Sequence, residues 1–562
     1  MDFFDHLFRW LRRPVGPITG PSVALLLLLA TPAPAEVSGI VFVDLNQSGV
    51  REAGEPPAPG VAVSNGLDVV RTDAEGRYAL AKGPRGFVFV TRPAGFDCEQ
   101  WYRRDPGDFA LTPHPAEEEF FFVHMSDLHV YERAGELIEE FGLGDPWWAP
   151  SKLVAWFSLR RMNEMLVPRF SLDPVEELRE ALSPYRDVSD LSDTAVYLAY
   201  REEFQREGSE IGDVRGKIQG ALGEIAALRP SFVLATGDLV LDANRAPGEA
   251  PERRVELYRS ATASMGVPVY SMIGNHELRG GLPEGASERE SDYGFGLFET
   301  TFGPTYYSFD RGAFHFVALD THRPVSGEDD PRKWTWNQMR DEVKHWLRRD
   351  LEAHGDRVKV VLNHEPFFAD PSWPFDAEEL AKYVVPDEGI FEEQAVAYSL
   401  NGHVHFPGLE RGEPTTYIST GALFGMGWYL PPTLFPRGYR IYYARGGQLY
   451  AAWKLVGEPL LGFIQPQGEE TIHPASATLV DPEALAGPFD LVAVAADAEG
   501  PLEAVSLELD GRPVRLERWG DYFVHARIDP APLLGKTATL TLSGRRENGE
   551  TLRTRLEIRA RD

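Results

Sequence analysis

Apolar and polar positions follow three regimes along this chain. From residue 36 to about 110, short alternating runs are separated by turn residues. Val37-Ser38-Gly39-Ile40-Val41-Phe42-Val43-Asp44 opens a strand, Gly60-Val61-Ala62-Val63-Ser64-Asn65-Gly66 alternates and ends in a turn pair, and Thr72-Asp73-Ala74-Glu75-Gly76-Arg77-Tyr78 repeats turn then strand. This spacing predicts a small β-sandwich domain over residues 36–113. The grammar then changes: an apolar run ends abruptly in polar residues. Phe120-Phe121-Phe122-Val123 leads to Asp127, Phe232-Val233-Leu234-Ala235-Thr236 to Asp238, and Pro268 to Ile273 leads to Asn275. Val358-Lys359-Val360-Val361-Leu362 leads to His364, and Ala397-Tyr398-Ser399-Leu400 to His403. A buried strand delivers a side chain at its C-terminal tip in this way, and five such tips can converge on one edge of a layered α/β core. In the third regime Val505, Leu507 and Leu509 alternate with Ser506 and Glu508, Asp510-Gly511 turns, and Thr537 to Leu542 alternates again. A second, Ig-like β-sandwich over residues 457–562 is expected.

Helical spacing appears between the first two tips. Val175 to Leu182 carries it, and Val214 to Ile225 reads as an amphipathic helix feeding the Asp238 strand. The stretch of about 130–213 is therefore an insertion in a domain of residues 114–456. It is rich in aromatics, including Trp147, Trp148, Trp156, Phe157 and Tyr200. Two readings stand: an accessory helical subdomain with its own small core, or a lid whose aromatics hold an apolar leaving group.

Residues 1–35 lie outside these regimes. Arg9, Arg12 and Arg13 precede the apolar run Val23 to Ala30, and Ala33-Pro34-Ala35 offers a small-residue cleavage site. This is the layout of an export signal, predicting a periplasmic or extracellular protein, with an uncleaved anchor as the rival. Absent that anchor, no stable membrane insertion is expected. Composition adds two constraints. A formal charge of -30 over 562 residues disfavours nucleic acid as a partner, while bound dications would reverse the field locally for a small phosphate ester. The single cysteine, Cys98, excludes an intrachain disulfide and a multi-cysteine metal site.

Chemistry enters with the polar tips. Asp127-x-His129, Gly237-Asp238, Gly274-Asn275-His276-Glu277, Asn363-His364 and Gly402-His403-Val404-His405 offer oxygen and imidazole donors of the kind that hold hard and borderline divalent metals. Each alone has a bland explanation, a turn or a satisfied core histidine. Each following its own strand, they form a set. A separate pattern lies in the N-terminal domain: Asp44, Asn46, Ser48 and Glu55 occupy positions one, three, five and twelve around Gly49 at six. This is a candidate calcium loop, or an Asx-rich hairpin turn.

The five motifs, taken in order, resemble the calcineurin-like metallophosphoesterase family, whose pattern is Asp-x-His, Gly-Asp, Gly-Asn-His-Asp/Glu, His, Gly-His-x-His. The β-rich flanks look like those of secreted bacterial members. The resemblance implies an αββα core of two packed sheets flanked by helices, with the inserted helical subdomain and two β-sandwiches attached. It implies two divalent ions (Mn, Zn or Fe), with Asp127, His129 and His405 on the first and Asn275, His364 and His403 on the second. Asp238 would bridge them and His276 would sit beside the leaving group. Leu241 stands where the purple acid phosphatase branch has a tyrosine ligand, so a tyrosinate-bound ferric site is not expected. The implied activity is hydrolysis of a phosphate mono- or diester by a metal-bridging hydroxide. The alternative is an extracellular binding or adhesion protein with a structural metal site.

Overall fold

A strand that presents Val, Leu and Phe on both faces must be covered on both faces, and the chain meets this by stacking two sheets. The computed structural model describes residues 36–131, 174–206, 208–241, 243, 249–278, 294–323, 338–369, 384–424, 437–465, 469–471, 489–498, 500–529 and 537–559. The export-signal segment and Trp147, Trp148, Trp156 and Phe157 lie outside them.

The core elements, in chain order, are β1 (Phe120–Met125), α1 (Pro174–Leu182), α2 (Asp193–Gln205), α3 (Val214–Ala227), β2 (Phe232–Ala235), α4 (Ala250–Ala263) and β3 (Val269–Ser271). They continue with β4 (Tyr307–Arg311), β5 (Phe314–Ala318), α5 (Asp341–Ala353), β6 (Val358–Leu362) and β7 (Tyr398–Asn401). Last come β8 (Pro407–Arg411), β9 (Thr416–Thr420), β10 (Gly438–Arg445) and β11 (Gln448–Leu455). One sheet has the order β3-β2-β1-β10-β11 and the other β4-β5-β6-β7-β9-β8. Within the first, β1, β2 and β3 are parallel; within the second, β5, β6, β7 and β9 are parallel. The ligand-bearing tips of each sheet therefore lie along a common edge.

Between the sheets the core is aromatic. Phe122 stacks on Phe232 and Tyr442 in its own sheet, with centroids 5.0 and 4.6 Å apart, and meets Phe316 of the facing sheet edge-on at 5.8 Å. Val343, Trp346, Leu347 and Leu351 of α5 join this cluster. The other face of the first sheet is covered by α2, α3 and α4 through Tyr200, Phe204, Ile218, Leu222, Val255 and Tyr258. The fold is thus the expected two-sheet α/β core with helices outside. The helical spacing read over Val175 to Leu182 and Val214 to Ile225 corresponds to α1 and α3.

Two four-stranded sheets precede the core and enclose Val41, Val63, Leu80, Val90, Phe109 and Leu111. They also bury Cys98, whose thiol burial pushes up to about 12. This sandwich caps the edge strand β4: Asp310 N–H donates to Arg92 O at 2.8 Å, and the Arg92 guanidinium lies 4.4 Å from the centre of the Tyr270 ring. Covering an edge in this way removes a template for intermolecular pairing. A second pair of sheets follows the core around Phe463, Leu491, Leu507, Leu540 and Leu556. Tyr522 anchors it, packing on Phe121 at 4.9 Å and donating its hydroxyl to Leu228 O at 3.0 Å.

The Asp44 loop is a closed turn. Asp44 accepts the N–H groups of Ser48 and Gly49 at 3.2 and 2.8 Å, and Glu55 accepts those of Leu45 and Glu52 at 3.1 and 2.9 Å. Asn46 Oδ1 accepts Ser48 N–H at 3.1 Å, and the Ser48 hydroxyl donates to Val50 O at 3.0 Å. These are the bonds of an Asx-rich turn.

Candidate metal centre

Each expected ligand follows its strand by two to four positions, where the chain leaves the sheet and is free to turn. Five of the non-glycine residues there have left-handed backbones: Asp127 (φ 54°), His129 (47°), Asp238 (49°), His403 (68°) and His405 (65°). Such conformations cost about 1–3 kcal/mol each and persist where the surroundings over-determine them. Here they turn side chains from two sheets toward one point.

The motif glycines let these loops touch. A Cβ on Gly237, itself at φ +87°, would stand 2.6 Å from His364 Nδ1, and one on Gly402 would stand 2.5 Å from Asp127 Oδ2. A Cβ on Gly274 would collide with the backbone N of Asp238.

The donor atoms form two groups that share one carboxylate. The first comprises Asp127, His129, Asp238 and His405, the second Asp238, His364 and His403. In the first, His405 Nε2 is 3.2 Å from both Asp127 Oδ1 and His129 Nε2, and His129 Nε2 is 3.6 Å from Asp238 Oδ2. In the second, His364 Nε2 is 3.1 Å from Asp238 Oδ2 and 3.2 Å from His403 Nδ1, and His403 Nδ1 is 3.1 Å from Asn275 Oδ1. All seven expected ligands meet here. His276 stands at the rim: its Nε2 is 3.8 Å from Asp238 Oδ2, its ring is edge-on to His129 at 4.5 Å, and its side chain is 19% exposed.

The donor set fits cations. Imidazole nitrogens face one another at 3.2 Å and face carboxylate oxygens, and buried Asp127 Oδ1 has no hydrogen bond of good geometry. The electrostatics agree. Burial opposes charge on Asp238, yet His276 and then His364 hold its carboxyl well below the usual range. Burial likewise opposes charge on Asp127, and His405 then His364 hold it at about 2. His364 is lifted well above the imidazole range against burial, chiefly by Asp238. Two buried carboxylates therefore demand positive charge at this point, which dications meet.

Second contacts hold the loops. His364 Nδ1 donates to Thr236 O at 2.7 Å, which presents Nε2 to the centre. His403 N–H donates to Asp127 Oδ2 and His276 N–H to Asp238 Oδ1, both at 3.0 Å. Glu277, absent from the expected site residues, accepts Val240 N–H at 3.0 Å and Gly274 N–H at 2.7 Å through its two oxygens. Burial, then Asp238, push its carboxyl up to about 7. The only sequence signal for it is its place at the end of Gly-Asn-His-Glu. Glu365 was also missed. It lies beside His364, 2.7 Å from His322 Nε2, in a buried chain that runs on through Asp320 to Arg340.

A third group of possible donors, Asp310, His315 and His354, lies elsewhere in the core. Both ring nitrogens of His315 are already engaged, by Asp310 at 2.7 Å and Asp350 at 2.8 Å, and Arg357 pairs with Asp310 at 3.0 Å. This is a self-neutralising network that joins β4 and β5 to α5, and it reaches the N-terminal sandwich through Ser308 and Thr91.

Parallel strands in each of two stacked sheets thus bring an Asp/His/Asn donor set to one point. A sequence model described as calcineurin-like phosphoesterase matches residues 121–407, and one described as the N terminal of calcineurin-like phosphoesterase matches residues 45–124. The chain belongs to the calcineurin-like phosphoesterase family. No curated protein matches it. Similar solved structures include the purple acid phosphatase PPD1 from yellow lupin seeds, at 11% identity over 90% of this chain and 69% of that one, with a TM-score of 0.29. A putative 5'-nucleotidase from Staphylococcus aureus is 14% identical over 60% of this chain and 54% of that one, with a TM-score of 0.27. GAP50 of the Plasmodium inner membrane complex is 8% identical over 60% and 85%, with a TM-score of 0.29. Superpositions this loose carry no functional argument.

Proposed function

We propose that this chain hydrolyses a phosphate mono- or diester at a centre of two divalent ions. The observation that carries the reading is the pair of donor groups sharing Asp238. Asp127, His129 and His405 would hold one ion, Asn275, His364 and His403 the other, and Asp238 would contact both. His, Asp and Asn donors admit manganese, zinc or iron. When bound, two such ions supply Lewis-acid charge and an activated water for in-line displacement at phosphorus.

The chain's own residues do the rest. Asp238 Oδ1 accepts the His276 N–H, which holds its carboxylate toward the two donor groups. His276 is partly exposed and is held beside the centre without belonging to either donor group. From there it would donate a proton to the departing alkoxide. The Asn275 carbonyl oxygen lies 3.1 Å from His403 Nδ1, and its amide is of the type that would donate to a phosphate oxygen. The export layout of residues 1–35 supports an enzyme acting outside the cytoplasm.

Asp238→Asn tests the reading. It keeps an acceptor for the His276 N–H but removes the shared charge, so bound metal and turnover of p-nitrophenyl phosphate and bis(p-nitrophenyl) phosphate should be lost together. An Asp238→Asn protein that retains both refutes the shared-carboxylate centre.

A further inference from the structure

Glu365 directly follows His364, a member of the second donor group, and its side chain crosses to the loop after β5. One of its oxygens accepts the Thr321 hydroxyl, and the other lies 2.7 Å from His322 Nε2. On the far side of that ring His322 Nδ1 lies 3.0 Å from Asp320 Oδ1, and Asp320 Oδ2 lies 3.1 Å from Arg340 Nη1. Arg340 stands at the N-terminus of α5, donates to His322 O at 3.3 Å and packs its guanidinium 4.4 Å from the centre of the Phe295 ring. Asp320, Thr321, His322 and Glu365 are fully buried, and Arg340 nearly so. Burial opposes charge on His322, but Glu365, then Asp320, hold its imidazolium up to about 9. Charges of alternating sign therefore run from beside the metal centre to α5.

Stability alone is a weak reason for such a chain. Buried ion pairs repay their desolvation poorly, and apolar side chains of similar volume often hold a core together at least as well. What charged partners at these distances do provide is one fixed geometry. The inner end of the chain fixes the loop that carries the second donor group. Glu365 O accepts the Asn363 side-chain amide, and His364 O accepts Gly402 N–H at 3.1 Å. The backbone around His364 is thus tied to the loop after β5 through Glu365, and to the His403 loop through Gly402. The first group is tied differently. Asp127 N–H donates to Gly237 O at 3.1 Å and His129 N–H to Asp238 O at 2.9 Å, and neither bond involves the loop after β5. We propose that Glu365 and His322 are positioning residues for the second divalent ion, acting through His364 and His403 rather than as ligands. This rests on the two-ion reading and assigns the support of one of its two ions to named residues.

Manganese(II) titration of variants that keep a single donor group tests the assignment. His405→Ala disables the first group and leaves the second to bind; His403→Ala does the reverse. Added to His405→Ala, Glu365→Leu should weaken manganese binding about 10- to 100-fold, the effect of losing an outer partner of a ligand. Added to His403→Ala, it should leave binding unchanged. Glu365→Gln offers an amide that a neutral His322 can bond, so it should recover part of the loss. Equal weakening in both backgrounds, weakening in neither, or no recovery with glutamine overturns the proposal. Denaturant unfolding of the same metal-free variants supplies the structural control. A lower midpoint with unchanged manganese affinity confines the chain to stability and also overturns the proposal. If Glu365→Leu does not fold, Thr321→Val, which removes one of the two side-chain ties, carries the comparison of the two backgrounds. A parent that binds two ions and hydrolyses no ester refutes the phosphoesterase reading and leaves this measurement standing; a parent that takes up no second ion overturns both.

Discussion

Replacing Glu277 by glutamine should loosen the centre without touching a ligand. Glu277 is 1% exposed, and its two oxygens accept Val240 N–H and Gly274 N–H. Val240 is two residues past Asp238, and Gly274 precedes Asn275, so a single carboxylate ties together two ligand-bearing loops. Glutamine offers one acceptor oxygen and an NH₂ group, so one of the two N–H groups would face a donor. At a pH above about 7, where Glu277 is ionised, loss of a hydrogen bond to this charged acceptor costs about 1.5–3 kcal/mol, and stranding a buried N–H costs about 1–3 kcal/mol. The two costs overlap, which puts the expected destabilisation at about 2–4 kcal/mol. Because the carboxylate acts on the loops that present Asp238 and Asn275, metal affinity should fall roughly 10- to 100-fold as well. Denaturant unfolding measured with and without metal, together with a metal titration, separates the two effects. A Glu277→Gln protein with parental metal affinity and parental unfolding midpoint would refute the clamp. Lower stability with unchanged affinity would confine Glu277 to holding the fold.

His276→Gln should keep its metal and lose rate, by roughly 10²–10⁴-fold in kcat for a missing general acid, and the alkaline limb of the pH–rate profile should go with it. Full activity in the variant would remove His276 from the reaction. The His315 network predicts a pH dependence of stability. Burial opposes its charge, but Asp350, then Asp310, hold its imidazolium up to about 9. The folded value therefore lies above the unfolded value of about 6.5, so this contribution is complete below about pH 6.5 and is lost as pH rises through 9. That interval corresponds to roughly 3 kcal/mol. Denaturant midpoints measured from pH 6 to pH 10 should fall in the parent and fall less in His315→Gln; parallel curves would show that His315 carries no such charge in the fold.

The residues that meet at the centre were readable because each ends an apolar run. Asp127, Asp238, Asn275, His364 and His403 each follow a strand, and parallel strands bring their tips to a common edge. What joins the loops laterally was not readable. Nothing in the order of residues says that Glu277 reaches back to Val240. Nor does it show that Asp127, His129, Asp238, His403 and His405 adopt left-handed backbones, which depends on the surrounding packing. The Asp44 loop is the converse case. Its spacing matched a ligand pattern, and the fold uses the same oxygens to accept backbone N–H groups.

Titration of the purified chain with manganese, zinc or iron(II), followed by metal content and phosphoester turnover on the same samples, tests the central claim most directly. Activity toward p-nitrophenyl phosphate or bis(p-nitrophenyl) phosphate should rise with metal and saturate near two ions per chain, in keeping with two donor groups that share Asp238. A chain that binds both ions and turns over neither ester would contradict the account and leave a metal centre that serves binding or stability alone.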